Sequence, residues 1–340
     1  MDGLELPRLT LSELEYWGRY AGAAYDEFED WETCGRCQAT EDLRQTVVVA
    51  KWSTAAGGFS RGYVGVNHRR RQVVVAFRGT THVLDTVTDA RVLQARWPPH
   101  VNGSLVHSGF LAAYRSAQRH VGGVDGYYGY SVAFVGHSLG GAQAVLAMAD
   151  YCGARECGGG LGGGLGGGVA LVTFGAPRVG NRVFATYANS LLPGKEASWR
   201  VVHGSDMVAQ LPRSLVPTEH SRCLEHAHGS DASEHAHGSD ASEHAHGSDV
   251  AAQMPRSPVL MEYVHGDREV WVRDRIALCG VSPALRAEED PLCSASVHSW
   301  QWSMWDHMEY PGISLLWGLG GDGGPRARSL PGAHRACAWI

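Results

Sequence analysis

The chain has 340 residues, with 29 lysines and arginines against 35 aspartates and glutamates, a formal net charge of −6. That balance excludes the basic face that non-specific nucleic-acid binding needs. A composition of 44% apolar and 19% charged residues excludes a disordered chain, and no run approaches the roughly 18 apolar residues of a membrane-spanning helix. Length permits one large α/β domain or two smaller ones.

In chain order, Leu11 to Tyr25 carries apolar residues at helical spacing and predicts an amphipathic helix. Thr46 to Trp52 and Gln72 to Phe77 are runs of β-formers and predict strands. Phe110 to Val121 predicts a helix, Ser131 to Val135 a short buried strand, and Leu139 to Tyr151 a helix of small residues. Gly168 to Phe174, Trp199 to His203 and Glu269 to Val272 complete the strands. Strands alternating with helices imply an α/β fold, a mostly parallel sheet covered by helices.

Two low-complexity stretches interrupt this pattern. Gly158 to Gly168 reads GGGLGGGLGGG, a flexible linker by backbone entropy. Glu225 to Asp249 is a nonapeptide repeat, EHAHGSDAS twice and the start of a third copy. A solenoid unit must bury an apolar stripe, and this unit offers only alanine. It is therefore expected to be a disordered insertion whose His-x-His pairs could hold Zn²⁺, Cu²⁺ or Ni²⁺ adventitiously. Apart from these two insertions, residues 1–340 are expected to form a single domain.

Eight cysteines permit full pairing. Cys34-x-x-Cys37 has the spacing of a redox or metal pair, with Cys152 and Cys157 the other close pair for a zinc site. Cys279 and Cys293 bracket a polar loop, which suits a local disulfide in an oxidising compartment. The start, Met1 to Glu5, has neither the basic nor the apolar region of a secretory signal. The cysteines thus point to secretion or an endomembrane lumen, and the first residues do not.

Gly136-His137-Ser138-Leu139-Gly140 fits G-x-S-x-G between a buried strand and a helix, the context of a nucleophile elbow. The turn is tight, so a Cβ at either flanking glycine would strike a neighbouring strand or helix. Ser138 would stand at a helix N-terminus, where the dipole and free N–H groups favour developing negative charge. A serine nucleophile needs a base, and the base an orienting carboxylate. Asp206 follows the strand ending at His203, where open α/β sheets place functional groups. Two histidines outside the repeat qualify as the base, His265 and His307, and spacing does not choose between them. Leu139 N–H is one expected oxyanion donor.

The ordered blocks Ala24-Tyr25, Ala76 to Thr80, Val106 to Phe110, Gly136 to Gly141, Thr173 to Asn181, Arg200 to Pro212, Glu269 to Trp271 and Asp306-His307 resemble the fungal class 3 lipase family. They cover roughly residues 11–315 apart from the insertions. The resemblance implies an α/β-hydrolase fold and hydrolysis of carboxylic esters, acylglycerols foremost. Its alternatives are phospholipase A1, galactolipase or feruloyl-type esterase activity, or a lipase-like binding protein without activity. It implies Ser138 as nucleophile, Asp206 as orienting acid, His307 rather than His265 as base, and Thr80 as the second oxyanion donor. No cofactor or metal is implied, and the partner is a lipid or ester, with contact at a lipid interface. Tyr25 and His107 match family positions beside the site. The family's lid corresponds to His82 to Asp89, where Val83, Leu84 and Val87 make a modest apolar face without an aromatic residue. Appreciable activity on soluble short-chain esters is therefore expected. Cys34–Cys37 and Cys279–Cys293 match family disulfides. Cys152, Cys157 and Cys223 are additional, and Asp26 replaces the family's cysteine after the early tyrosine, the expected partner of Cys337.

Overall fold

The computed structural model describes residues 10–26, 31–34, 37, 40–54, 60–80, 93–121, 124, 126–155, 157, 168–192, 198–213, 262–266, 269–273, 276–279, 289 and 293–315. The expectations for residues 1–5, the lid residues Val83, Leu84 and Val87, the glycine run before Gly168, the repeat 225–249, Cys223 and Cys337 lie outside the described residues. Residues 1–213 and 263–340 make up one compact unit, which holds every described helix and strand.

Eight strands form the central sheet: β1 (Thr46–Thr54), β2 (Ser60–Asn67), β3 (Gln72–Phe77), β6 (Ser131–His137), β7 (Val169–Phe174), β8 (Ser198–His203), β9 (Glu269–Val272) and β10 (Ile276–Cys279), in the order β1-β2-β3-β6-β7-β8-β9-β10. The five strands from β3 to β9 run parallel, and antiparallel pairs close both ends. Between β3 and β6, β4 (Gln94–Arg96) and β5 (Leu105–His107) pair as a separate ribbon.

The sheet is covered on both faces, so its central strands are apolar throughout rather than alternating with polar residues. Successive side chains still point to opposite sides. Val73, Val75, Phe77, Val132, Phe134, Val169 and Leu171 join one core, and Val74, Ala76, Ala133, Val135, Ala170, Val172 and Phe174 join the other. Helix α1 (Leu11–Ala23) covers the second face through Leu14, Trp17, Tyr20 and Ala21, and starts where the Thr10 side chain accepts the Glu13 N–H. Helices α3 (Ser108–Val121) and α4 (Leu139–Arg155) cover the first. The short α2 (Glu41–Arg44) precedes β1. After β7 comes α5 (Arg182–Ser190), capped by the Asn181 side chain accepting the Phe184 N–H at 3.0 Å.

Near the end of the described chain lie α6 (Met304–Met308), β11 (Glu309–Tyr310) and β12 (Ile313–Ser314). The architecture is that of an α/β-hydrolase. Disulfides join Cys34 to Cys37, Cys152 to Cys157 and Cys279 to Cys293. Both close pairs considered as zinc ligands are thus bonded internally. Among the described residues, Glu269 also lies beside Cys279 and Cys293, but those two sulfurs are bonded to each other.

Candidate active site

Strand β6 ends at His137, and the chain turns at once into α4. Ser138 takes φ +59°, a left-handed conformation that costs a non-glycine residue free energy and persists only where its surroundings impose it. The two flanking glycines show what imposes it. A Cβ on Gly136 would lie 2.2 Å from the Gly140 carbonyl oxygen, and one on Gly140 would lie 2.2 Å from the Phe77 carbonyl oxygen. The turn is clamped between its own helix and strand β3. Ser138 is fully buried, and its Oγ makes no hydrogen bond among the described residues.

Asp206 stands just past β8, in the turn His203-Gly204-Ser205-Asp206 closed by Asp206 N–H to His203 C=O at 3.0 Å. Its carboxylate is buried and meets three donors. Val208 N–H reaches Oδ1 at 2.8 Å, while His307 Nδ1 at 2.8 Å and Tyr310 O–H at 2.5 Å share Oδ2. A carboxylate only accepts, so the proton lies on His307 Nδ1 and a neutral ring keeps its lone pair on Nε2. His307 Nε2 is buried and unpaired among the described residues. Gly175, at the end of β7 with φ +55°, leaves room for this cluster: a Cβ there would be 2.5 Å from Asp206 Oδ2 and 2.9 Å from His307 Nδ1.

The loops carrying Asp206 and His307 are stitched together. Ser303 N–H donates to Ser205 C=O at 2.8 Å, and Ser205 N–H donates to the Asp306 carboxylate at 2.6 Å. His307 is also held through its backbone. Its carbonyl accepts His137 Nε2–H at 2.8 Å, and the ring centroids of His137 and His307 are 4.6 Å apart. Burial, and then the neighbouring His307, push the His137 pKa far below the ordinary histidine range, so the ring is neutral. Its proton is on Nε2, and Nδ1 accepts the Tyr25 hydroxyl at 2.7 Å. Tyr25 thus supports His307 through His137.

The turn after β3 completes the setting. A Cβ on Gly79 would lie 2.8 Å from Ser138 Cβ and 2.2 Å from the Tyr25 hydroxyl, so Arg78-Gly79-Thr80 runs against the serine. Leu139 is the first residue of α4, a position whose N–H has no carbonyl one turn back.

Two further buried histidines, His107 and His265, are engaged with the backbone. His107 Nδ1 accepts Gly109 N–H at 3.1 Å and Phe110 N–H at 3.3 Å. An imidazole therefore does the capping usual for Ser or Asp, and α3 begins two residues before the expected Phe110. Burial lowers the His107 pKa to about 4. His265 donates Nε2–H to Ala209 C=O at 2.7 Å and is held neutral chiefly by burial. It sits beside the largely buried pair in which Arg178 donates Nε–H and Nη2–H, one edge of its guanidinium, to the two Glu289 carboxylate oxygens.

Tyr310 is a site residue that sequence reasoning misses. It follows His307 by three residues, but its partner carboxylate is 104 positions back, and no local pattern announces that bond. Burial, followed by the charge of Asp206, raises the Tyr310 pKa well above its ordinary value, so it remains a donor.

A family model described as Lipase (class 3) matches residues 74–215. A lipase of Rhizomucor miehei is 31% identical over 212 residues, covering 59% of this chain and 54% of that protein. Secreted mono- and diacylglycerol lipase A of Penicillium cyclopium is 30% identical over 215 residues, covering 59% of this chain and 65% of that one. The chain thus spans about half to two thirds of the length of these curated relatives. A solved triacylglycerol lipase, described as having a serine protease triad as its catalytic centre, superposes with a TM-score of 0.64 at 25% identity, covering 89% of this chain and 95% of that one.

Proposed function

From a chain related to the fungal class 3 lipases, with the family's signature over residues 74–215, we propose a serine hydrolase of carboxylic esters acting on acylglycerols. Ser138 Oγ attacks the ester carbonyl while His307 Nε2 takes its proton. Asp206 orients the ring and stabilises the imidazolium. The tetrahedral oxyanion is held by Leu139 N–H and by Thr80 through its N–H and hydroxyl. The intermediate collapses to an acyl-enzyme as His307 returns the proton to the leaving alcohol. Water, activated by the same nitrogen, then releases the acid. No metal or cofactor takes part in these steps.

The observation that carries this reading is the buried His307–Asp206 pair, whose open Nε2 shares one end of the sheet with an unpaired, conformationally strained serine hydroxyl. Binding alone would not require a left-handed serine or a buried histidine with a vacant lone pair.

Hydrolysis of p-nitrophenyl butyrate by the full chain and by Ser138→Ala tests it. The variant is expected to lose at least about 10³-fold in kcat, as nucleophile removal does in serine hydrolases. Equal rates would exclude the hydrolase. Rates on triolein, phosphatidylcholine, galactolipid and methyl ferulate then separate acylglycerol hydrolysis from the phospholipase, galactolipase and feruloyl-esterase alternatives.

A further inference from the structure

The segment leading into His307 carries three tryptophans in six residues, Trp300, Trp302 and Trp305. Trp302 is half-buried. Its Nε1–H donates to Val297 C=O at 3.2 Å, and the Arg213 guanidinium lies 4.6 Å from its ring. The other two are left outside, Trp300 80% and Trp305 66% exposed. An indole in water at that exposure is unfavourable, and nothing in the hydrogen bonding of the segment asks for two of them.

Their position is informative. Ser138 and Asp206 follow the carboxyl ends of β6 and β8, and Ser303, between the two exposed indoles, is bonded to the Asp206 turn. The exposed rings therefore ride on the structure that positions His307, at the end of the sheet that carries the site. Both stand on regular backbone. Trp300 lies in a 3₁₀ turn and stacks on His298 with planes 9° apart. Trp305 is on α6, which is capped by Ser303 Oγ accepting Asp306 N–H at 3.0 Å.

We infer that Trp300 and Trp305 form a fixed docking surface for the lipid–water interface, setting the site's end of the protein against aggregated acylglycerol. This rests on the acylglycerol reading of the site. Two features favour a lipid surface over a second protein. Indole combines an apolar body with one N–H donor, the chemistry enriched where membranes meet water. Two indoles, each burying roughly 150–250 Å², also fall far short of the roughly 1,200–2,000 Å² of a stable protein pair, whereas insertion among lipid headgroups needs no complementary partner surface.

The test is flotation of full-length Ser138→Ala protein, which cannot consume its target under the proposed mechanism, with a triolein emulsion coated in phosphatidylcholine. Adding Trp300→Ser and Trp305→Ser together is expected to lower partitioning about tenfold, and each alone by about threefold, from the loss of buried apolar area. With Ser138 intact, the double tryptophan variant should keep the p-nitrophenyl butyrate rate and lose about tenfold on the emulsion, since only the second substrate must be reached by docking. Unchanged flotation would overturn the inference. So would a wild-type dimer in sedimentation that the double variant dissociates, because the indoles would then bind a second copy. Failure of wild-type protein to hydrolyse the soluble ester would instead remove the hydrolase reading, and the flotation measurement would stand apart from it.

Discussion

Tyr310 gives its proton to the same Asp206 oxygen that His307 faces, and its own oxygen accepts His203 N–H at 3.1 Å. One phenol therefore ties the end of β8 to the carboxylate that β8 delivers. Replacing it by phenylalanine leaves the cavity nearly filled and removes one charge-assisted hydrogen bond, worth about 1.5–3 kcal/mol. In Tyr310→Phe, kcat is expected to fall about tenfold or more with KM little changed, because under the proposed mechanism the bond orients His307 through Asp206 and does not touch substrate. Steady-state kinetics on a soluble ester measure both. A change confined to KM would place Tyr310 in substrate binding instead. The strained serine belongs to the same scale. Its φ of +59° is maintained by two glycines whose absent side chains let three backbone segments meet.

At the scale of elements, the disulfide Cys279–Cys293 spans a sequence separation of 14 and holds the end of β10 to the turn that begins at Ser294. Ser294 N–H donates to Glu269, and its hydroxyl accepts from Gln210 just beyond the Asp206 turn. Cys279→Ala with Cys293→Ala is expected to cost about 3 kcal/mol of stability from the freed loop, read as a lower urea midpoint. An unchanged midpoint would mean that the neighbouring hydrogen bonds hold this region without the covalent link. Much of the element pattern is legible in the sequence. The runs at 72–77 and 269–272 match their strands residue for residue, because a short block of apolar β-formers behind a single polar residue admits few readings. Strand β2 escapes such a reading because Gly62 and Gly65 weaken the β signal. Those glycines answer to packing, since a Cβ on Gly62 would lie 2.2 Å from the Ala76 carbonyl oxygen. Helix α5 escapes it because its cap, Asn181, sits inside the irregular run after β7, and only three of its nine residues are buried. In the site, the G-x-S-x-G turn and Asp206 are readable from local context. The choice of His307 over His265 needs the family resemblance. Tyr310 and the Tyr25–His137 support are invisible because each is a contact across more than 100 positions.

For the whole molecule, the notable electrostatic feature is three buried, neutral histidines. His107, His137 and His265 all have pKa values lowered chiefly by burial, His107 to about 4. In the unfolded chain each returns to about 6.5. The unfolded state therefore binds more protons below that pH, and stability, complete above about pH 6.5, is lost as pH falls toward the depressed folded values. Below about pH 6.5 unfolding should therefore take up protons at these rings, and stability should fall as the pH falls. Urea midpoints between pH 7.5 and 5 measure it, and a flat profile would mean that the three rings titrate in the native protein as they do in the unfolded chain. Glu289, held below the ordinary carboxylate range by Arg178 despite its burial, adds a second loss in the same direction only at lower pH.

The stitching of residues 205–207 to residue 303 makes the site tolerant of chain length between them. Ser303 is bonded to both Ser205 and Met207, so the loops that carry Asp206 and His307 hold each other directly through their own backbones. Doubling the length of a flexible segment elsewhere between them would add only about 0.6 kcal/mol of closure entropy. A variant lacking residues 225–249 is therefore expected to keep its rate on a soluble ester, and a lost rate with an unchanged urea midpoint would show that the repeat acts on the site.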